Sequence, residues 1–192
     1  YLPHSTGLES DGNGGYTYGI ADLNGGGVSL EDGEDRYVAG QAVPKTILGS
    51  NISFRYKRFD LSLQVNGAFG HKIYNGTSLT YMNMNILPDY NVMEEAPRQM
   101  IKDQTATDYW LEDGDYINFD YLTVGYDVPL KNTKFLHNMR LAFTINNLGT
   151  ISGYSGLTPL INSMTVDSTL GVDDKRTYPL SRTYTLSLSL NF

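Results

Sequence analysis

The segment Asp22-Leu-Asn-Gly-Gly-Gly-Val28, followed by Asp32 and Asp35, has the best ion-binding spacing in this chain. Asp22 and Asn24 stand two residues apart, where a calcium loop places oxygen ligands. Gly27 falls at the sixth position, where such loops turn, and the Val28 carbonyl falls at the seventh. The twelfth position is Gly33, so the usual bidentate Glu is missing and Glu31, Asp32 or Asp35 has to stand in. The expected calcium set is therefore Asp22, Asn24, Val28, Asp32 and Asp35, with no other cofactor required. The plainer reading is a Gly/Asp-rich surface loop closed by Asx turns. It is favoured, because Gly26 brings no side-chain ligand to the fifth position.

No catalytic constellation emerges. His4, His71 and His137 are dispersed and lack the spacing of a zinc helix. Ser5 and Ser155 have no nucleophile-elbow context, since Gly-x-Ser-x-Gly is absent. Glu94-Glu95 and Glu112-Asp113-Asp115 bring carboxylates together, which is the requirement for glycoside hydrolysis. Neither cluster sits near an expected buried pocket, so both are read as solvated loop acids. A third kind of chemistry, binding, is better represented. Tyr81, Met82, Met84, Leu87, Pro88 and Tyr90 make one loop unusually apolar, which suits contact with a ligand or a lid protein. Tyr109 and Trp110 offer flat faces for stacking on sugars or peptides. Packing among the loops themselves accounts for all of these equally well.

Composition bounds what can hold such loops. The chain has 192 residues, a charged fraction of 18%, 12% aromatics with 15 Tyr, no Cys and a net charge of −7. The low charge and high Tyr content fit aromatic girdles at a membrane interface, or a binding surface. The acidic balance without a basic run argues against nucleic acid. The absence of Cys excludes disulfides and thiolate metal sites. No apolar run is long enough for a membrane helix, which a transmembrane barrel would also lack. No signal-peptide pattern begins at Tyr1, so the chain is read as starting after processing or as a piece of something longer.

Five strands are expected, at about Lys45–Lys57, Asp60–Gly70, Asp115–Val128, Met139–Asn147 and Leu180–Phe192. The last is the clearest. Tyr184, Leu186, Leu188, Leu190 and Phe192 alternate with small, uncharged polar residues over the length that a tilted strand needs to cross a bilayer. In the third, the apolar set Ile117, Phe119, Tyr121 changes phase to Leu122, Val124, Tyr126, which predicts a bulge or a change of environment. Connections alternate between short ones (Lys57–Phe59, and Pro129–Asn138, in which Lys131–Leu136 is long enough for a turn of helix) and long ones (Gly70–Gly114 and Leu148–Pro179, plus the lead-in Tyr1–Pro44). Outer-membrane barrels show this pattern, with short periplasmic turns and long extracellular loops. The expected fold is all-β: about five antiparallel transmembrane strands, with residues 1–44 as an extracellular loop region and 45–192 as strands and loops of the barrel. Five strands cannot close a membrane barrel, and an open edge in lipid is costly, so the chain is read as part of a larger barrel.

Five segments in order carry a family resemblance: Asp22–Val28 with Asp35-Arg36; Phe54–Leu63 (FRYKRFDLSL); Trp110–Pro129 (WLEDGDYINFDYLTVGYDVP); Asn146-Asn147-Leu148 with Tyr154–Pro159; and Tyr178–Phe192. Over about Asp22–Phe192 the chain resembles the C-terminal part of the SusC-like TonB-dependent transporters of Bacteroidota outer membranes. It departs from them at Asn118 and Asp120, where basic residues are usual, at Gly26 for Asp and at Ser181 for Pro. The resemblance implies a barrel of about 22 strands around a plug. It implies import of oligosaccharides or peptides through a SusD-like surface lipoprotein lid, driven by TonB acting on parts outside this chain. It also implies that Tyr184, Leu186, Leu188, Leu190 and Phe192 form an outer-membrane assembly signal. The alternative from the residues alone is a soluble, secreted β-sandwich that binds glycans, with or without calcium.

Overall fold

The structure is a computed structural model, and it describes residues 1–31, 34–130, 135–160, 170–175, 178 and 180–192. The chain divides into two compact units. One comprises Lys45–Phe69, Asp115–Gly153 and Pro179–Phe192, and the other comprises Tyr1–Pro44, Gly70–Gly114 and Tyr154–Tyr178. The segments of the two units interleave along the chain.

The first unit contains the five expected strands. In chain order through the whole molecule they are β5 (Thr46–Tyr56), β6 (Phe59–Phe69), β9 (Tyr116–Asp127), β10 (Asn138–Ser152) and β12 (Thr183–Asn191). They form one antiparallel sheet in the order β12-β10-β9-β6-β5, so each strand lies beside its sequence neighbour within the set. Thr46, Phe69, Tyr116 and Ser152 stand at one end, where the long connections leave. Tyr56 and Phe59 stand at the other, joined by a two-residue turn in which Lys57 takes a left-handed φ of 54°. The alternation of short and long connections is thus a property of the sheet. The predicted helical turn at Lys131–Leu136 falls largely on residues 131–134, outside the described residues.

Register sorts the side chains into two faces. Leu188, Leu141, Tyr126, Phe59 and Tyr56 make one rung across all five strands. Leu186, Phe143, Val124, Leu61 and Phe54 make the next, and Tyr184, Ile145, Leu122, Leu63 and Ile52 a third. The rungs between them carry Ser187, Ala142, Gly125, Asp60 and Arg55, then Thr185, Thr144, Thr123, Ser62 and Ser53, and Thr183, Asn146, Tyr121, Gln64 and Asn51 follow beyond the third. The bulge predicted in the third strand lies at Asp120, which is skipped in the pairing on both sides: Gln64 faces Tyr121 and Val65 faces Phe119, while Asn146 faces Tyr121 and Gly149 faces Phe119. One extra residue offsets the one-residue phase change, so Ile117 and Phe119 stay on the apolar face. Strand β10 runs past the expected end at Asn147, because Asn147 at φ 51° absorbs the irregularity and pairing resumes at Gly149.

The second unit is built from what the sequence presents as long loops. It holds β1 (Leu2–Pro3) paired with β4 (Arg36–Tyr37), the hairpin β2 (Ser5–Ser10)–β3 (Tyr16–Ile20), and a small sheet of β7 (Lys72–Asn75), β8 (Leu111–Asp113) and β11 (Val172–Asp173). It also holds two short helices, α1 (Gly76–Tyr81) and α2 (Ala96–Gln99), and single helical turns at Met84–Ile86 and Asp108–Trp110. Its apolar core is small: Tyr18, Ile73, Met82, Ala96, Ile101 and Tyr154. Buried polar side chains hold the irregular backbone instead. Asn75 caps α1 by accepting from Ser78 N–H, Asn83 accepts from Asn85 N–H, and Thr107 accepts from Tyr109 N–H. Asp173 is fully buried and accepts from Thr77 Oγ1 and Tyr154 Oη.

Candidate binding pocket and aromatic cluster

Tyr18, Tyr109 and Trp110 come together in the loop unit. Trp110 directly precedes β8 and closes a single helical turn, Asp108–Trp110, that Thr107 caps. Its indole Nε1–H donates to Tyr18 Oη at 2.7 Å. The Tyr109 ring packs against both neighbours, 5.0 Å edge-on to Trp110 and 5.2 Å from Tyr18. Burial pushes the Tyr18 phenol up to about 12, against the opposing hydrogen bond from Trp110.

Trp110 also borders a pocket of 470 Å³. Met82, Met93 and Leu157 give it apolar wall, and Asn75, Ser78 and Ser155 give it polar wall. Glu95 and Gln99 complete it from α2. They are four residues apart on one helical turn, with Gln99 N–H donating to the Glu95 carbonyl, so both side chains point to one side. Glu112 stands behind the polar wall, accepting from Asn75 Nδ2 and from Ser155 N–H and Oγ. Gln99 Oε1 is buried and has no hydrogen-bond partner among the described residues. An unpaired buried acceptor costs about 1–3 kcal/mol, so a polar atom in this condition marks a place where a donor is missing.

The sequence-derived contact residues separate accordingly. Met82 and Trp110 line the pocket and Tyr109 supports Trp110. Tyr81, at the end of α1, and Met84, just after it, are half-buried and do not line it, and Tyr90 is exposed and does not line it either. Gln99 and Asn75 have no sequence signal beyond their polarity, and Ser155 has only its place in the Tyr154–Pro159 segment. Glu95, read from sequence as a solvated acid, is exposed at the pocket.

The Asp22–Asp35 loop is held by its own hydrogen bonds. Asp35 is fully buried and accepts from the N–H groups of Leu23 (2.6 Å), Ser29 (2.7 Å) and Asn24 (3.3 Å). Those donors, Ser29 foremost, hold its carboxyl below the usual carboxylate range. Asp22 accepts from Gly25 and Gly27, and Asn24 accepts from Gly26 while donating to Glu34. These are the Asx turns of the plainer reading. Val28 is exposed, and Asp32 lies outside the described residues. Among the described residues, no group of three or more His, Cys, Asp or Glu is placed to hold a metal.

Tyr184, Leu186, Leu188 and Leu190 share the apolar face of the edge strand β12. All are exposed, as is Phe192 just beyond its end.

No family model matches the chain. In sequence it is similar to the TonB-dependent receptor P3 of Formosa agariphila, with 29% identity over 190 residues, covering 90% of this chain and 19% of that protein. In fold it is similar to a chain of the RagAB peptide importer in the closed-closed state, with a TM-score of 0.69 and 16% identity over 100% of this chain and 22% of that one. The open-open state of the same importer gives a TM-score of 0.68 at 15% identity, again over 100% of this chain and 22% of that one. The chain thus spans about a fifth of the length of these relatives, which are named as a receptor and a transporter rather than as enzymes. The resemblance carried by the five motifs agrees with both comparisons: the chain is similar in sequence to a TonB-dependent receptor and has the fold of one segment of the RagAB importer chain.

Proposed function

We propose that this chain is a wall segment, with its extracellular loops, of an outer-membrane TonB-dependent importer. One observation carries the reading. The five-stranded sheet presents a continuous apolar face to its surroundings, with Ile52, Phe54, Leu186 and Leu188 each at least half exposed. Hydroxyl and amide side chains fill the middle of the opposite face. A soluble protein rarely leaves an apolar surface of this breadth uncovered. Lipid would cover it, and a wet lumen would meet the polar face. Strands of 9 to 15 residues are long enough to cross. Tyr56, Phe59 and Tyr126 form an aromatic rung at the short-turn end, where an interfacial girdle belongs. The outer edges of β5 and β12 would pair with further strands of a larger barrel, since lipid leaves no unpaired edge affordable.

In this reading the energy comes from TonB acting on a plug outside the chain, and the loop unit meets cargo or a SusD-like lipoprotein lid through the pocket beside Trp110. Cargo is an oligosaccharide or a peptide. Tyr184, Leu186, Leu188, Leu190 and Phe192 serve as the signal read on insertion. The similarity to a TonB-dependent receptor supports this reading over a soluble β-sandwich. The test is fractionation of the full-length protein from its own cells. Recovery in the outer membrane, in a detergent-soluble complex with a lipidated partner, is expected. Recovery in the aqueous fraction without detergent overturns the reading.

A further inference from the structure

We propose that the pocket beside Trp110 takes a cationic alkyl side chain, that of a lysine or arginine on a peptide. The inference rests on the importer reading only in treating the occupant as cargo or as part of a lid; the pocket chemistry stands apart from it. Three observations converge. Glu95, the residue that opens α2, lines the pocket and is exposed. Among the described residues its carboxylate has no ion-pair partner. Among the described residues no Lys, Arg or His lines the pocket, while Glu112 adds a second negative charge behind its wall. The rest of the lining is Met82, Met93, Leu157 and the Trp110 ring. An unbranched alkyl stem packs on thioethers and an indole face, and its charged head is drawn by the ring and by the carboxylate. A neutral sugar meets the opposite requirement: it presents hydroxyls to methionine and leucine and leaves the carboxylate without a counter-charge.

The experiment uses the detergent-purified full-length protein and two capped peptides, acetyl-Gly-Lys-Gly-amide and acetyl-Gly-norleucine-Gly-amide, titrated by calorimetry. Norleucine keeps the stem and lacks the charge. The lysine peptide is expected to bind about tenfold tighter, as charge-assisted hydrogen bonds of this kind allow. Glu95→Gln should cut that preference to within about threefold. The change is tolerable to the fold, because Glu95 is exposed. Equal affinity for the two peptides overturns the inference, as does a preference that survives the substitution. Displacement of the lysine peptide by maltotetraose also overturns it, by assigning the pocket to sugar. Recovery of the protein outside the outer membrane would overturn the importer reading and leave the peptide comparison intact.

Discussion

Arg140 and Asp60 form a two-pronged ion pair although their strands are not neighbours. Nη1–Oδ1 is 2.5 Å and Nη2–Oδ2 is 2.6 Å, and the pair reaches over the intervening strand β9 at Gly125. A Cβ on Gly125 would lie 2.6 Å from Asp60 Oδ1 and closer still to the Arg140 guanidinium. The missing side chain is therefore what lets β6 and β10 be tied across β9. Asp127 joins the group by accepting from Arg55 and Arg140. Gly125→Ala should displace the bridge while leaving the backbone in place, since the atoms in the way are side-chain ends. The expected cost is about 1 kcal/mol, the scale of a partly exposed, well-oriented ion pair. Thermal melting of the full-length protein checks it. No further loss on adding Gly125→Ala to an Asp60→Asn variant would show that the glycine acts through the bridge alone.

The bulge at Asp120 rests on side chains as well as backbone. Asn66 Nδ2 donates to both Asp120 oxygens at 2.6 and 2.7 Å, and Asn118 Nδ2 donates at 2.5 Å. Thr150 in turn donates to Asn118 Oδ1. Asp120→Ala should cost about 1–3 kcal/mol, because Asn118 is buried and both amides lose their acceptor. Deleting Asp120 should be far worse. Ile117 and Phe119 would then move to the polar face, as any one-residue slip demands. The measurement is the yield of assembled protein in the outer-membrane fraction. Normal yield from the deletion would show that register is fixed elsewhere.

These two residues also show what sequence made legible. The phase change from Phe119 to Leu122 announces the bulge, because period-two alternation is local and the apolar face enforces it. The same alternation places all five strands within a few residues. The loop unit was hidden for the opposite reason. Its core has few large apolar side chains, and its irregular backbone is closed by Asn75, Asn83, Asp35 and Asp173, whose partners lie up to 96 residues away. No local period records such contacts. The pocket suffers most: Trp110 and Met82 stand out by type, but Gln99 acquires meaning only when its Oε1 is seen to be buried without a donor.

The Trp110–Tyr18 hydrogen bond gives a prediction with two readouts. Trp110→Phe keeps an aromatic wall but removes the N–H that reaches Tyr18 Oη. A cost of about 1 kcal/mol is expected, with a coupling of similar size in a double-mutant cycle with Tyr18→Phe. Folded Tyr18 holds its proton to about 12, whereas an unfolded tyrosine releases it near 10. Its contribution is therefore complete below pH of about 10 and falls as pH rises from there to the folded value. Tyr18→Phe should flatten that alkaline decline. An unchanged alkaline limb would place the decline on other groups.

Asp35 makes the corresponding prediction on the acid side, and it separates hydrogen bonding from calcium. Its folded carboxyl is held below the usual range by the N–H groups of Ser29, Leu23 and Asn24. The stabilisation is therefore present above the unfolded value of about 3.9 and disappears as pH falls through the lower folded value. Amide exchange at Leu23, Asn24 and Ser29 should be slow at neutral pH and accelerate in that acid window. Asp35→Asn should accelerate it at neutral pH by about tenfold or more, because one carboxylate oxygen becomes a donor facing donors. We propose that the loop needs no ion to hold this shape. Exchange at the three amides is then expected to be unchanged by chelator and by added calcium. Slower exchange with calcium would instead assign the loop an ion, with the second lone pairs of Asp22 and Asp35 as its first ligands.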